Sequence, residues 1–362
     1  MKTGVAHLPL HSGKAPAWLF QRMKVLSGEI TSILIDAYGA EEMLRRLSDP
    51  FWFQAFGCAL GFDWHSSGVT TTVCGALKEG MKGREKDLGF YAAGGKGRAS
   101  RKTPQEIEAF CEKRSIDAAA LVYASRMSAK VDSAALQDGY QIYHHCFFFT
   151  ERGSWAVVQQ GMNEETCYAR RYHWLGEEME DFVCEPHRAV CCDEKKEGLN
   201  LVAQESGRSR EAITEISKAK PDWIMNEGKK VNELFLPKAH PVPMEEIRLE
   251  RLEKMFVRIY EEAPVDFEAL LGIPGVGPKT LRALSLISEL ICGAKPSFKD
   301  PTRFSFAHGG KDGHPYPVDR KIYDQTIAVL GEAIEEARIG DREKVEAIRR
   351  LDHFVAEKSQ TL

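Results

Sequence analysis

Five acidic and histidine residues in the first half of the chain could together form a hydrolytic metal centre. They are Asp63, His65, Asp132, Asp138 and His144. Mg²⁺ and Mn²⁺ prefer carboxylate ligands, and such an ion can activate water and stabilise the oxygen that leaves when a phosphodiester is cleaved. We expect Asp63 and Asp138 to bind the metal and the others to complete a nuclease centre. The alternative is that the aspartates are turn residues and the histidines are packed or hydrogen-bonded.

A glycine-rich turn between two predicted helices is the most specific motif in the chain. Residues 270–286 begin Leu-Leu-Gly-Ile-Pro-Gly-Val-Gly-Pro-Lys-Thr. Glycines let the backbone approach a ligand closely, and the start of the second helix favours an anion. The string resembles the helix-hairpin-helix motif, which holds nucleic-acid phosphates without reading bases. We therefore expect Gly275, Gly277, Lys279 and Thr280 to contact nucleic acid. The alternative is an ordinary pair of helices joined by Gly and Pro.

Two clusters of cations accompany this motif, although the net charge of the chain is −4. One lies among small residues near position 98, and the other alternates with aromatic residues in Tyr168–Trp174, a composition suited to phosphates and stacked bases. The predicted nucleic-acid contacts are Lys96, Arg98, Arg101, Lys102, Arg170 and Arg171. A solvated loop and a half-buried strand end are the alternatives for the two clusters.

The C-terminal region is also similar to helix-hairpin-helix DNA glycosylases. Those enzymes place a catalytic lysine two residues after the Gly-Val-Gly of the hairpin and a carboxylate in a later Val-Asp. The resemblance implies that Lys279 attacks a sugar carbon and that Asp319 stabilises the developing positive charge. The forty-residue spacing and the following Arg320 depart from that family's pattern. In the alternative interpretation Lys279 contacts phosphate and Asp319 caps a helix.

A segment with three cysteines and one histidine has the ligand types that zinc prefers. These residues are Cys184, His187, Cys191 and Cys192. Their spacing departs from that of zinc knuckles, and adjacent cysteines rarely both reach one ion. We therefore expect buried thiols here rather than structural zinc.

The elements that must position these residues change in type along the chain. Helical periodicity is typical of 17–47 and 118–129, whereas Tyr140–Thr150 and Trp155–Gly161 read as a β-hairpin. From about residue 200 the pattern is helical again. We predict an α/β or α+β N-terminal domain followed by an all-α helix-hairpin-helix domain. The predicted ranges are 1–200 for the first domain, 201–243 for a helical connector, 244–355 for the second domain and 267–291 for the hairpin.

Three segments resemble an uncharacterised family, number 763 of the domains of unknown function. They are residues 4–16, 62–73 and 138–145. The resemblance implies a prokaryotic, DNA-related protein and supplies no catalytic residues.

The composition adds limits on the setting of the protein. The chain has nine cysteines and no apolar run long enough to span a membrane, and because residues 1–16 contain no apolar stretch we expect no signal peptide. We expect reduced thiols, a cytoplasmic location and no membrane partner. The combined interpretation is a metal-dependent nuclease of DNA repair or recombination, acting on single-stranded, duplex or branched DNA, with RNA as another possible ligand. The alternatives are a DNA glycosylase or lyase that uses Lys279 and Asp319, and a non-catalytic module that recognises nucleic-acid structure.

Overall fold

The protein is built around a five-stranded sheet whose two faces are both covered by helices. The computed structural model describes residues 15–62, 67–112, 114, 116–192, 197–233, 249–302 and 320–359. The strand order is β1-β3-β4-β5-β6, and every neighbouring pair is antiparallel. Two further short strands, β2 and β7, pair separately. The strands are β1 Phe90–Lys96, β2 Leu136–Gln137, β3 Gln141–Thr150, β4 Trp155–Asn163, β5 Tyr168–Leu175, β6 Ala189–Cys191 and β7 Leu199–Asn200.

Helices lie before β1, between β1 and β3, and after the last strand of the sheet. Those before the main β-hairpin are α1 Ala17–Tyr38, α2 Ala40–Ser48, α3 Pro50–Ala59, α4 Gly68–Met81, α5 Glu85–Leu88, α6 Thr103–Cys111 and α7 Ala118–Lys130. Those after the sheet are α8 Gly207–Ser217, α9 Pro221–Glu233, α10 Glu253–Glu262, α11 Phe267–Gly272, α12 Pro278–Cys292, α13 Arg320–Glu336 and α14 Asp341–Ser359. The predicted mixed α and β architecture is confirmed, and the antiparallel pairing makes it α+β. The separate all-α helix-hairpin-helix domain stays a prediction. Within the described ranges no helix is both long and apolar enough to cross a lipid bilayer.

Alternation along the strands divides the interior into two cores. On β3, Phe147 belongs to the first core and Phe148 to the second, because successive side chains of a strand point to opposite faces. The first core continues into α7, α8 and the pair α11 and α12. The second core contains α1 to α4 together with α13 and α14. The helices at the C-terminal end of the chain therefore pack on both faces of the sheet, and the predicted domain boundaries stay a prediction.

Close helix packing in the second core depends on two glycines. A side chain at Gly28 on α1 would lie 2.7 Å from the carbonyl oxygen of Gly80 on α4, and one at Gly80 would lie 2.4 Å from the carbonyl oxygen of Lys24. Only a residue without a Cβ lets the two backbones approach so closely. This crossing fixes the helical layer that covers the second face of the sheet.

The predicted β-hairpin is confirmed as β3 and β4, joined through a short turn at 151–154. Strand β1 was not predicted, because its sequence, Phe-Tyr-Ala-Ala-Gly-Gly-Lys, reads as the start of a glycine-rich loop. Gly94 has a φ of +91°, and a Cβ there would lie 2.3 Å from the carbonyl oxygen of His145. Glycine is therefore needed in this strand for its close pairing with β3.

Candidate functional site

The turn between α11 and α12 presents backbone donors at the start of a fifteen-residue helix. Gly277 is the N-cap of α12 and supplies no side-chain cap, and Pro278 follows it. Among the described residues, no acceptor binds the backbone N–H groups of Gly277, Lys279 or Thr280. Gly275 has a φ of +96°, a conformation that glycine adopts easily. The arrangement leaves three donors at the positive end of the helix dipole, where an anion is stabilised.

Lys130, the last residue of α7, holds the other side of this turn. Its Nζ donates to the carbonyl oxygens of Leu271 at 2.7 Å, Ile273 at 2.6 Å and Val276 at 3.0 Å. Burial and the nearby charge of Arg258 lower the pKa of Lys130 to about 8. At neutral pH the ammonium group thus keeps three hydrogens for its three carbonyl acceptors. Because these carbonyls point at Lys130, the N–H groups of the turn are free to face the other way.

A glutamine joins the helical hairpin formed by α11 and α12 to the short strand pair of β2 and β7. The side-chain amide of Gln137 donates to the carbonyl of Pro278 at 3.0 Å, and its Oε1 accepts from Arg282 at 2.9 Å. Lys130 and Gln137, at the two ends of the segment 130–137, therefore both bind the helical hairpin of α11 and α12. This anchoring gives the turn a fixed position against the first core.

The predicted contacts of the hairpin differ in their exposure. Lys279 and Gly275 are exposed and Gly277 is partly exposed, whereas Thr280 is only 3% exposed. The Thr280 side chain therefore faces the protein, and only its backbone N–H is oriented toward the start of the helix. The cations of the first basic cluster are all exposed, on the end of β1 and the short helical turn that follows: Lys96, Arg98, Arg101 and Lys102.

The second basic cluster lies inside the protein. Arg170 and Arg171 are both 0% exposed, on opposite faces of β5. Arg170 binds Asp138 at 2.8 Å and Asp300 at 2.7 Å, and Arg171 binds the Gln54 amide oxygen at 3.1 Å. Neither guanidinium reaches the surface, so the prediction that these two arginines contact nucleic acid is wrong. The aromatic residues on either side of the pair belong to the same buried strand.

Asp138 belongs to a buried ion-pair network. Its carboxylate accepts hydrogen bonds from Arg170, from the Tyr172 hydroxyl at 2.7 Å and from the Tyr140 backbone N–H at 3.1 Å. Burial raises the pKa of Asp138, and these three partners oppose that rise. With its oxygens bound by protein donors, the carboxylate acts as a partner of Arg170 in the described structure.

Asp132 lies in a π-helical turn, Val131–Ala135, that directly follows α7. Such turns are frequent at functional sites. Its carboxylate is fully buried and accepts from Gln159 Nε2 at 2.6 Å, from Trp174 Nε1 at 2.9 Å and from His187 Nε2. The chain of bonds continues from Gln159 to His145 Nδ1 at 2.9 Å. Asp132 thus fixes the orientation of His187, a residue that the metal-centre hypothesis did not include.

His144 occupies the opposite face of the sheet from this network. It alternates with His145 on β3 and is 1% exposed, and neither of its ring nitrogens has a hydrogen-bond partner among the described residues. Burial, with smaller contributions from His145 and Lys96, lowers its pKa to about 3. The sheet therefore separates His144 from Asp132 and Asp138, and the predicted convergence of these three residues is wrong for a simple geometric reason.

The other predicted catalytic residues, Asp63, His65 and Asp319, lie outside the described residues. Within the described part of the chain, no three His, Cys, Asp or Glu side chains come together as metal ligands. Cys191 and Cys192 are buried and Cys184 is partly buried, and the Cys192 thiol lies 3.0 Å from the Tyr140 hydroxyl. The metal-dependent nuclease and the lysine-dependent glycosylase stay predictions.

The two aspartate networks meet at a cavity of about 200 Å³. His187 of the Asp132 network and Asp300 of the Asp138 network both line it, and the rings of His187 and Tyr172 are 5.8 Å apart. Its other polar lining residues are Glu185, Asn200, Glu205 and Lys299. Sequence spacing did not indicate this site, because its lining combines residues 185–205 with residues 299–301, nearly a hundred positions later.

A family model matches residues 4–318 of the chain, and its description is a protein of unknown function, DUF763. The chain belongs to the DUF763 family. The matched range includes the whole sheet, the hairpin of α11 and α12 and the cavity, so these features lie within the part of the chain typical of DUF763 proteins. Comparisons with curated proteins and with solved structures give no match.

Proposed function

We propose that this protein binds nucleic acid by its sugar–phosphate backbone, at the turn between α11 and α12. The supporting observation is the set of backbone N–H groups at the start of α12 for which the described residues offer no acceptor, next to the exposed Lys279. A phosphate would accept hydrogen bonds from these donors and gain from the helix dipole and the ammonium charge. Such contacts position a strand without reading its sequence. The turn would act as a helix-hairpin-helix motif.

The distribution of charge fits a local rather than a general nucleic-acid surface. With a net charge of −4 the whole protein does not attract polyanions, so binding depends on clusters. Besides the hairpin, the exposed cations of the turn Gly97–Lys102 form such a cluster. We assign to it a second, weaker contact with the phosphate backbone.

Fluorescence anisotropy with labelled single-stranded, duplex and branched DNA, and with RNA of the same sequence, tests the proposal. Lys279→Glu should weaken binding at least tenfold and reduce the salt dependence by about one counterion. Lys86→Glu makes the same charge change at an exposed residue of α5, against the other face of the sheet, and should have a much smaller effect. Equal binding by both variants, or binding that does not weaken with salt, would contradict the proposal.

We further propose that the bound strand is processed. The same complexes, incubated with Mg²⁺ or Mn²⁺, test for phosphodiester cleavage, with Asp63→Ala as the variant that should abolish it. Borohydride trapping on an abasic duplex tests the use of Lys279 as a nucleophile, because only a covalent amine adduct is trapped. An adduct that survives Lys279→Ala would exclude that role.

A further inference from the structure

His187 has the surroundings of a general base. Its Nε2 binds the Asp132 carboxylate, which fixes the tautomer that carries the proton on Nε2. Nδ1 is then the basic nitrogen, and no described residue hydrogen-bonds to it. The ring packs edge-on against Trp174 at 4.6 Å between centroids, which holds its orientation. A carboxylate that orients an imidazole in this way is the arrangement by which His removes a proton from water or a hydroxyl group.

One buried acceptor in the cavity next to His187 favours a ligand that donates hydrogen bonds. Asn200 is 4% exposed, and its Nδ2 donates to the Lys299 carbonyl at 3.1 Å, but no described residue donates a hydrogen bond to its Oδ1. A buried acceptor without a partner is costly, so a bound N–H or O–H group would stabilise it. Three carboxylates also line the cavity and already accept hydrogen bonds within the protein: Glu185 from Gln204, Glu205 from Lys299 and Ser297, and Asp300 from Arg170 and Thr302. A phosphate offers no donor for the Asn200 oxygen, whereas a nucleobase carries ring N–H and amino groups.

The size of the cavity agrees with one planar base. Its volume of about 200 Å³ is below the range of about 300–1,000 Å³ common for drug-sized ligands. Enzymes that act on a base take it out of the stack into such a pocket and read its edge by hydrogen bonds. Asn200 has the side chain for this type of reading.

The cavity also lies close to the proposed phosphate-binding turn. Asn200 pairs with Leu136 across the strands β7 and β2, and the next residue, Gln137, donates to the carbonyl of Pro278 at the start of α12. Asn200 is thus connected to the start of α12 through one strand pair and one side-chain hydrogen bond. A strand held at the turn could place a nucleotide over the cavity.

We infer that this cavity binds a nucleobase of the nucleic acid held by the hairpin and that His187 activates water to hydrolyse its N-glycosidic bond. The inference rests on the proposed nucleic-acid binding. His187 Nδ1 takes a proton from water, and the water oxygen forms a bond to the sugar C1′ as the C1′–N bond breaks. The base leaves with the electron pair and takes a proton from solvent. Asp132 is a positioning residue.

The charge of the lining favours this reaction over phosphodiester cleavage. The sugar becomes positively charged in the transition state of glycosidic cleavage. Among the described residues Arg170 pairs with Asp300 and Lys299 pairs with Glu205, so Glu185 leaves the lining with a net negative charge, which stabilises positive charge better than the negative charge of a phosphoryl transition state.

Release of free bases from oligonucleotides containing normal, deaminated and oxidised bases, measured by mass spectrometry, tests the inference. His187→Gln should lower the rate of release by about 10²- to 10⁴-fold with an unchanged dissociation constant. Asp132→Asn should lower the rate and also change its pH profile, which a purely structural role would not do. Binding measured in the same samples separates failure of this inference from failure of the proposed function.

A second measurement does not depend on the choice of substrate. Titration of the full chain with adenine, guanine, cytosine, uracil and hypoxanthine, followed through the His187 NMR signals, should show binding of at least one base. Asn200→Ala should weaken that binding at least fivefold. The inference is overturned if none of these bases binds and none is released from any oligonucleotide.

Discussion

Lys130 and Asp132 are two residues apart at the end of α7 and bind two different parts of the protein. Lys130 binds three carbonyls of the hairpin turn, and Asp132 binds His187 beside the cavity. The change from α7 to a π-helical turn at Val131 lies between them. One short segment therefore sets the position of the proposed phosphate-binding turn and of His187, the proposed general base.

Replacing Lys130 tests whether the ammonium group holds the hairpin. Lys130→Met keeps the length of the side chain but leaves three carbonyls without their donor, so the free energy of unfolding should fall by about 1.5–3 kcal/mol. Hydrogen exchange in peptides covering 267–277 should accelerate, and nucleic-acid affinity should fall with it. Lys279→Met is the matched control, because this exposed lysine should affect affinity and leave exchange and stability unchanged. Unchanged exchange in Lys130→Met would contradict the anchoring role.

The backbone of the turn can be tested with two glycines of positive φ that flank α12. Gly275 has φ +96° and a Cβ there would lie 2.4 Å from Met255 Cε, whereas Gly293 has φ +62° and open space around it. Alanine at either position should cost about 1–2 kcal/mol of stability from the unfavourable φ. Only Gly275→Ala should also weaken nucleic-acid binding.

The double variant Gly275→Ala, Met255→Ala separates the two causes, since it removes the contact and keeps the strained φ. Partial recovery of binding in the double variant would assign that part to the contact with Met255. If Gly293→Ala weakened binding as much as Gly275→Ala, the weaker binding would result from the general loss of stability and not from a changed conformation of the turn.

Much of the fold could be predicted from the sequence, because the periodicity of apolar residues and the glycines and prolines that end or begin helices are local signals. The β-hairpin of β3 and β4 and the limits of α11 and α12 follow from alternating apolar residues, a helix-stopping glycine and Pro278. The burial of Arg170 could not be read in the same way. Its partners Asp138 and Asp300 lie far from it in the chain, and a guanidinium is equally suited to a phosphate or to a buried carboxylate.

The cavity shows the same limit more strongly. His187 was visible only as part of a cysteine-rich segment, because nothing near it in sequence indicates Asp132, fifty-five residues earlier, as its partner. Lys130 carried no local signal either, since a lysine at the end of a helix commonly interacts with that helix's own carbonyls. Both roles depend on tertiary contacts.

The two basic clusters predict opposite effects of mutation. Arg170→Leu leaves the carboxylates of Asp138 and Asp300 buried without their guanidinium, so it should lower the free energy of unfolding by about 3–5 kcal/mol. The exposed cluster should behave differently. Replacing Arg98, Arg101 and Lys102 with Ala should leave the denaturation midpoint nearly unchanged and reduce the salt dependence of duplex binding by up to about three counterions. A stable Arg170→Leu protein with weakened binding would reverse this assignment.

His144 predicts how stability depends on pH. Burial lowers its pKa to about 3, while in the unfolded chain it titrates near the ordinary value of 6.5. Between these values the unfolded state binds a proton that the native state excludes, so the free energy of unfolding falls as pH falls below about 6.5. The contribution is about 1.4 kcal/mol per pH unit, or about 2–3 kcal/mol between pH 6.5 and 4.5. His145 and His173, whose pKa values burial also lowers, act in the same direction.

Urea denaturation of wild type and His144→Gln at several pH values measures this contribution. Below pH 6.5 the free energy of unfolding of the variant should depend less steeply on pH, by the contribution of one bound proton. Above pH 7 the free energies of the two proteins should change with pH in parallel, because His144 is neutral in both states there. The histidines at 145 and 173 stay in place and keep the remaining acid sensitivity. An identical slope in both proteins below pH 6.5 would show that His144 is protonated or solvated in the native state, against its burial without hydrogen-bond partners.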